Sequence, residues 1–251
     1  MTKQTQLRRR GSYGIDAPYG FAFMAVMTVF YLVLAIISGR WQRFVPVTFM
    51  AAIAGLYLDA TLRGKFVVWA QLLDTLGLRG DERILDLGCG RGAVLLMAAE
   101  RLTTGRAVGV DLWQRADQFG NCEAATRRNA VAEGVADRVE LHTGDMTALP
   151  FEDNSFDVVL SSLAIHNIRG SAGRQKAITE AVRVLRPGGR LMITDVRATA
   201  QYQAQLARMG MNDVVRRRPG WQFWRGGASA ATPLVTATKP ERLNSDGQAT
   251  L

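Results

Sequence analysis

Apolar residues are spread unevenly along the 251-residue chain. No charge interrupts residues 20–38, GFAFMAVMTVFYLVLAIIS, and about 20 helical residues of this kind cross a hydrocarbon core. Residues 39–43 are a short basic turn with Arg40 and Arg43. Residues 44–62 form a second apolar run, broken only by Asp59. The pattern predicts a transmembrane hairpin with helices at about 20–38 and 44–62. Tyr19, Trp41 and Tyr57 fall near its expected interfaces. Ala51 and Gly55, four apart, make a small face suited to close helix packing.

After residue 65 the pattern changes. Phe66, Trp69, Leu72, Leu73 and Leu76 recur at helical spacing, which predicts an amphipathic helix over 66–78. Short apolar runs then alternate with helical patterns. Strands are expected over 84–87, 107–110, 139–142, 156–162 and 190–194. Helices are expected over 93–102, 118–133, 172–185 and 198–209. A closing hairpin has its arms near 213–217 and 234–237. Strands that alternate with helices build an α/β domain with a covered parallel sheet. The chain thus divides into a basic tail and hairpin over 1–65, an α/β domain over 66–240 and a polar tail over 241–251, read as disordered.

Charge adds orientation. The formal net charge is +9, which suits an anionic partner surface. Lys3, Arg8, Arg9 and Arg10 precede the first apolar run, and two arginines sit in the turn. The positive-inside rule then puts the N-terminus and the downstream domain on the cytoplasmic side of a two-helix membrane protein. A cleaved signal peptide fits poorly, because the first run is too long and a second follows at once. Cys89 and Cys122 are the only cysteines, so neither a disulfide framework nor a Cys-rich zinc site is expected, and no metal. Arg216, Arg217 and Arg218 precede Trp221, Phe223, Trp224 and Arg225. Such a cluster can bind headgroups or single-stranded nucleic acid. Next to a membrane hairpin the headgroup reading is favoured, with membrane lipid as partner and no nucleic acid expected.

The candidate chemistry centres on residues 83–92, RILDLGCGRG. A short apolar strand is followed by Gly88, Gly90 and Gly92 and then by a helical run. That is the opening of a nucleotide-binding βαβ unit. Asp86 stands at the strand's end, two residues before the first glycine. A carboxylate there repels a pyrophosphate but suits a ligand with an ammonium and a sulfonium, such as S-adenosyl-L-methionine (SAM). The competing reading is an aspartate that caps the turn. A second strand ends in Asp111, some twenty residues past the glycines, where a ribose hydroxyl pair is bound in such units. Leu112 and Trp113 follow it and could cover an adenine face.

Several spaced motifs now resemble those of class I SAM-dependent methyltransferases. They are residues 85–92, 109–111, Gly144–Asp145, 149–151, 156–159 and the segment RVLRPGG at 183–189. The nearest type is the "type 11" group, which includes ubiquinone/menaquinone-biosynthesis methyltransferases. The resemblance covers about residues 81–195. It implies a Rossmann-like, seven-stranded sheet with its last strand antiparallel and helices on both faces. It also implies binding roles. Asp86, Gly88 and Gly90 would lie along the methionine part of SAM, Asp111 on the ribose and Leu112 on the adenine. Asp145 would accept from the adenine amino group, and Met146 would donate a backbone N–H. Ser161 and Ser162, at the end of the fourth strand, would lie beside the methyl donor or form a merely polar strand end.

His166 lies in the loop after the fourth strand, at the carboxyl edge where open α/β sheets bind ligands. It is the candidate general base for a hydroxyl or phenol acceptor. A histidine that only fills the loop is the alternative reading. His142 is expected to be structural. The expected protein is a membrane-anchored SAM-dependent methyltransferase of a lipophilic small molecule: a quinone, phenol, isoprenoid or lipid headgroup. A nicotinamide-dependent oxidoreductase and a non-catalytic, membrane-tethered SAM-binding protein are the alternatives.

Overall fold

The computed structural model describes residues 9–16, 18–114, 120–220, 223 and 232–241. Of the expectations above, Lys3, Arg8, Trp221, Trp224, Arg225, the helix start at 118–119 and the tail from residue 242 lie outside these.

Seven strands form one sheet. β1 (Arg83–Leu87), β2 (Arg106–Asp111), β3 (Val139–Thr143), β4 (Phe156–Ser162) and β5 (Leu185–Thr194) are mutually parallel. β7 (Leu234–Thr238) is antiparallel to both β5 and β6 (Asn212–Arg217), and the spatial order is β3-β2-β1-β4-β5-β7-β6. The chain winds outward from β1 in one direction and from β4 in the other. The crevice at the carboxyl ends of β1 and β4 is therefore the topological switch point, where such sheets take ligands.

Strand alternation divides the core between two faces. Ile84, Val158 and Leu160 pack with residues of α3 (Lys65–Asp74) and α4 (Ala93–Ala99). Leu85, Leu87, Val159, Leu191 and Ile193 pack with α6 (Ser171–Val184) and α7 (Thr199–Arg208). α5 (Glu123–Glu133) lies beside α4. α4 stops short of residue 102 because its end tightens into i→i+3 bonds, from Arg101 N to Ala98 O and from Leu102 N to Ala99 O. β5 starts five residues before the expected strand, at Leu185, with Pro187–Gly189 inside it.

Before the sheet, α1 (Pro18–Ser38) packs on α2 (Phe44–Asp59) as a hairpin. A π-helical segment, Ala60–Gly64, joins α2 to α3 without a break. The second apolar run and the amphipathic helix are therefore one helix, Trp41–Asp74, of 34 residues. The expected boundary at residue 65 falls inside it. Gly64 keeps helical angles, so nothing in the local sequence ends the helix. The wider π turn re-phases it, which brings Phe66, Trp69 and Leu73 onto the sheet. The small face at Ala51 and Gly55 is turned outward, and a Cβ on Gly55 would meet nothing within 4 Å. α2 meets α1 through its other side.

Many of the hairpin's apolar side chains are exposed. Phe23, Val26 and Ile36 of α1 are each 64% exposed, and Phe49 of α2 is as well. Residues 9–16 take a different course and lace across the globular domain. Backbone N–H groups of Arg10 and Gly11 donate to Glu133 Oε1, as does the Tyr13 hydroxyl at 2.8 Å. Ser12 N donates to Asn129 Oδ1, and Asn129 Nδ2 donates back to Ser12 O. Arg9 pairs with Glu100.

Candidate active site

A cavity of about 480 Å³ opens at the switch point, within the roughly 300–1,000 Å³ usual for small-molecule sites. Its inner wall is the turn after β1. Gly88 N and Cys89 N donate to Val110 O at 2.8 and 3.2 Å, which docks the turn on the end of β2. Gly88 has φ +72°, and a Cβ there would stand 2.2 Å from Ala164 Cβ. Only glycine lets the turn approach the loop after β4 so closely.

Asp86 lines this cavity yet is 2% exposed. It points to the α4 side of the sheet, where it accepts from the Leu95 backbone N–H in the first turn of α4. Burial pushes its carboxyl up to about 7; the Leu95 N–H works against this, and the nearby Asp111 carboxylate adds to it. Asp86 thus accepts from the first turn of α4 and lines the cavity at once. An acid in this state fits a cationic ligand group, which would draw off its proton.

Asp111 is held from three sides. Its Oδ2 accepts from Gly90 N at 2.8 Å, and its Oδ1 accepts from Trp113 N at 2.6 Å and Asn121 Nδ2 at 3.3 Å. The carboxylate is fixed at the cavity wall, with acceptor capacity left for a hydroxyl pair. Leu112, Asp145 and Met146 line the same end. Asp145 Oδ1 accepts from Thr147 N. Trp113 turns away and donates Nε1–H to Thr143 Oγ1. Gly88, Gly90, Asp86, Asp111, Leu112, Asp145 and Met146, far apart in sequence, are therefore brought together around one space.

Two expected residues are placed elsewhere. Ser161 is fully buried, and its hydroxyl donates to Leu87 O at 3.0 Å. It shares the α6 face of β4 with Val159, so it ties two strands together and does not reach the cavity. Ser162, one residue on, faces the other way and lines it. His166 lies in a single 3₁₀ turn, Ile165–Asn167. Its ring Nδ1 is 2.6 Å from Asp195 Oδ1, and its backbone N donates to Asp195 Oδ2 at 2.9 Å. The turn points the imidazole at the end of β5, while Ala164, Asn167 and Arg169 line the cavity. The structure thus turns the His166 ring onto Asp195, and the cavity lining does not include it. His142 is half-buried on the edge strand β3, edge-to-face with Phe151.

Four site residues escaped the sequence reading. Asp195 is fully buried and collects the His166 and Val196 backbone N–H groups and the Tyr202 hydroxyl. Burial, helped by Asp195, raises the Tyr202 hydroxyl above its ordinary value. The strand-end acid signal that marked Asp86 and Asp111 recurs at Asp195. Asp16, Lys65 and Trp69 also line the cavity. Lys65 and Trp69 are four apart on one helix face, which the sequence displays. Of the basic–aromatic cluster, Arg216 donates to Thr199 Oγ1 and Phe223 is fully buried, so Phe223 belongs to the core.

Residues 85–193 match the family described as Methyltransferase domain. The ubiquinone/menaquinone biosynthesis C-methyltransferase UbiE of Roseobacter denitrificans is 37% identical over 138 residues, 55% of this chain and 52% of that protein. The chloroplastic 2-phytyl-1,4-beta-naphthoquinone methyltransferase of Arabidopsis thaliana is 31% identical over 145 residues, 57% and 53% of the two chains. The chain spans about half the length of these curated relatives. A SAM-dependent methyltransferase structure from Aquifex aeolicus superposes with a TM-score of 0.54 at 17% identity, over 68% of this chain and 88% of that one.

The fold and the matched segment define a class I SAM-dependent methyltransferase domain. Within that class, the matched segment resembles the quinone-biosynthesis C-methyltransferases. SAM is the cofactor of the class, and the donor set fits it. Asp86, Asp111 and Asp145 line the cavity, and carboxylates suit a ligand that carries cationic groups and hydroxyls.

Proposed function

We propose that this protein is a membrane-anchored methyltransferase that passes a methyl group from SAM to a lipophilic small molecule, with quinone-type ring acceptors as the first class to test. One observation carries the reading. The same cavity is lined by Asp86, Asp111 and Asp145 and by Lys65, Phe66 and Trp69. The latter three belong to the helix that continues from the apolar hairpin. The relatives named for quinone substrates support the acceptor class.

The hairpin supports the anchoring. Its exposed apolar side chains would cost about 25 cal/mol for each Å² left in water, a cost that lipid removes. Both helices are long and apolar enough to cross a bilayer. The arginines before and between them favour a cytoplasmic N-terminus and catalytic domain.

When bound, SAM supplies an electrophilic methyl group on a sulfonium. The chain's part is to hold a nucleophile in line with that methyl and keep water out. Asp86 and Asp111 hold the cofactor end. Trp69, Ser162 and Asn167 border the acceptor end. Reconstitution in phosphatidylethanolamine/phosphatidylglycerol vesicles, with calorimetric titration of SAM and NAD, tests the reading. Flotation that survives high salt and a SAM-selective titration are expected. Tight NAD binding without SAM binding would reject it.

A further inference from the structure

Lys65 is a charged residue where an apolar helix enters the globular domain. It is only 5% exposed, and its Nζ stands 3.1 and 3.2 Å from the two carboxylate oxygens of Asp16. Asp16 is anchored independently, since its backbone carbonyl accepts from the Tyr57 hydroxyl of α2 at 2.7 Å. Acid and base come from segments 49 residues apart, at the join of the N-terminal strap, the hairpin and the cavity. Both line the cavity, next to Phe66 and Trp69. Burial of an ion pair carries a desolvation penalty that hydrophobic residues of the same volume would avoid. A pair kept here, on a cavity wall and beside a π-helical segment, points to use rather than to stability.

Among the charged groups that line the cavity, Lys65 is the lysine, and its ammonium is already held against a carboxylate. Such a cation can pair with an oxyanion and not with an amine. The aromatic side chains of Phe66 and Trp69 suit a flat ring.

We propose that Lys65 and Asp16 form the acceptor-oxygen subsite, where an acidic hydroxyl on a membrane-borne aromatic or enolic ring is ionised and held. This rests on the methyltransferase reading and names the substrate class within it. The Asp16 carboxylate takes the hydroxyl proton, and the Lys65 ammonium pairs with the oxyanion in its place. The oxyanion's electron pair, from oxygen or from the conjugated ring carbon, forms the new bond to the methyl carbon as the methyl–sulfonium bond breaks. The pair from that broken bond stays on sulfur as a neutral thioether. Where carbon is methylated, the ring hydrogen leaves as a proton to water, Asp16 returns its proton to the ring oxygen, and the ring regains its conjugation. Asp16 and Lys65 are the ionisable pair at the oxygen, and Arg91 and Arg169 line the same cavity.

The test uses the full chain in detergent, saturated with S-adenosylhomocysteine so that no turnover occurs. The probe is an alkylated 4-nitrophenol, whose phenolate absorbs in the visible. A cation in contact with it should raise its ionisation constant about 10- to 1,000-fold over that in detergent alone. Lys65→Arg should keep most of this shift and Lys65→Met should lose it. The double variant Asp16→Asn/Lys65→Met leaves no uncompensated charge, so it should fold and should also lack the shift. An ionisation constant equal in wild type and in the double variant, or no bound phenolate in wild type, would overturn the proposal. A probe shift without methyl transfer to any acceptor would instead reject the methyltransferase reading and leave the subsite standing.

Discussion

Trp69 Nε1 donates to Ser162 Oγ at 3.0 Å. One partner sits on the helix that continues from the hairpin, the other on the last residue of β4. This bond ties the apolar helix to the edge of the sheet where the loop lining the cavity begins. Ser162 also lies 3.3 Å from Thr194 Oγ1 at the end of β5, so three elements meet at one hydroxyl.

Trp69→Phe removes the donor and keeps most of the volume. It should cost about 0.5–1.5 kcal/mol of stability and leave SAM affinity unchanged, while KM for a ring acceptor rises. Chemical denaturation, SAM titration and steady-state kinetics on the same preparation separate these effects. A fall in SAM affinity as large as the rise in KM would show that Trp69 supports the whole site.

Asp111→Ala removes a carboxylate that orients Gly90 and faces the cavity. Loss of a charged hydrogen-bond partner costs about 1.5–3 kcal/mol, so SAM should bind roughly 10- to 150-fold more weakly. Calorimetry reads this directly. Unchanged affinity in a folded variant would place the ribose elsewhere.

Asp86 gives the site a pH dependence with a definite sign. Burial holds its carboxyl at about 7, so below that pH the ligand-free protein carries it protonated. A cationic ligand prefers the carboxylate. SAM affinity should therefore rise with pH through about 7, with proton release on binding. Stability moves the other way. Between the ordinary carboxylate range and about 7 the folded chain holds a proton that the unfolded chain has lost, so ligand-free stability falls as pH rises. Calorimetry in buffers of different ionisation heat checks the proton release, which Asp86→Asn should abolish. Proton release that is equal in the two proteins would assign it to another group.

His166→Ala separates a general base from a side chain that braces the loop. A general base is worth roughly two to four orders of magnitude in rate. A side chain that braces the loop against Asp195 should cost less than about tenfold, and the shape of the pH–rate profile should not change. Loss of a titrating limb in that profile would restore the general-base role.

The sheet was legible because its central strands are buried on both faces and read as apolar runs, some with acids at their ends. Ile84, Leu85 and Leu87 show this well. The cofactor wall was legible for the same reason, since Asp86 and Asp111 end adjacent strands. Ser161 and Ser162 could not be told apart, because either alternation along β4 is possible until the faces are known. The Lys65–Asp16 pair depends on the path of residues 9–16 over the domain, which no local pattern encodes. The continuous helix from Trp41 to Asp74 was hidden because the charges around residue 60 read as a membrane edge. The helix itself does not end there.

The central claim is that SAM and a membrane-dissolved ring acceptor meet in one cavity of this protein. The most direct measurement reconstitutes the full chain in vesicles that contain a prenylated 1,4-naphthoquinol, adds SAM with a labelled methyl group outside, and follows label into the lipid extract. The account predicts protein-dependent label on the quinol ring or its oxygen, lost in Asp111→Ala and strongly reduced in Asp16→Asn/Lys65→Met. Saturable SAM binding with no label in the lipid extract, for this quinol and for other phenolic lipids, would contradict it.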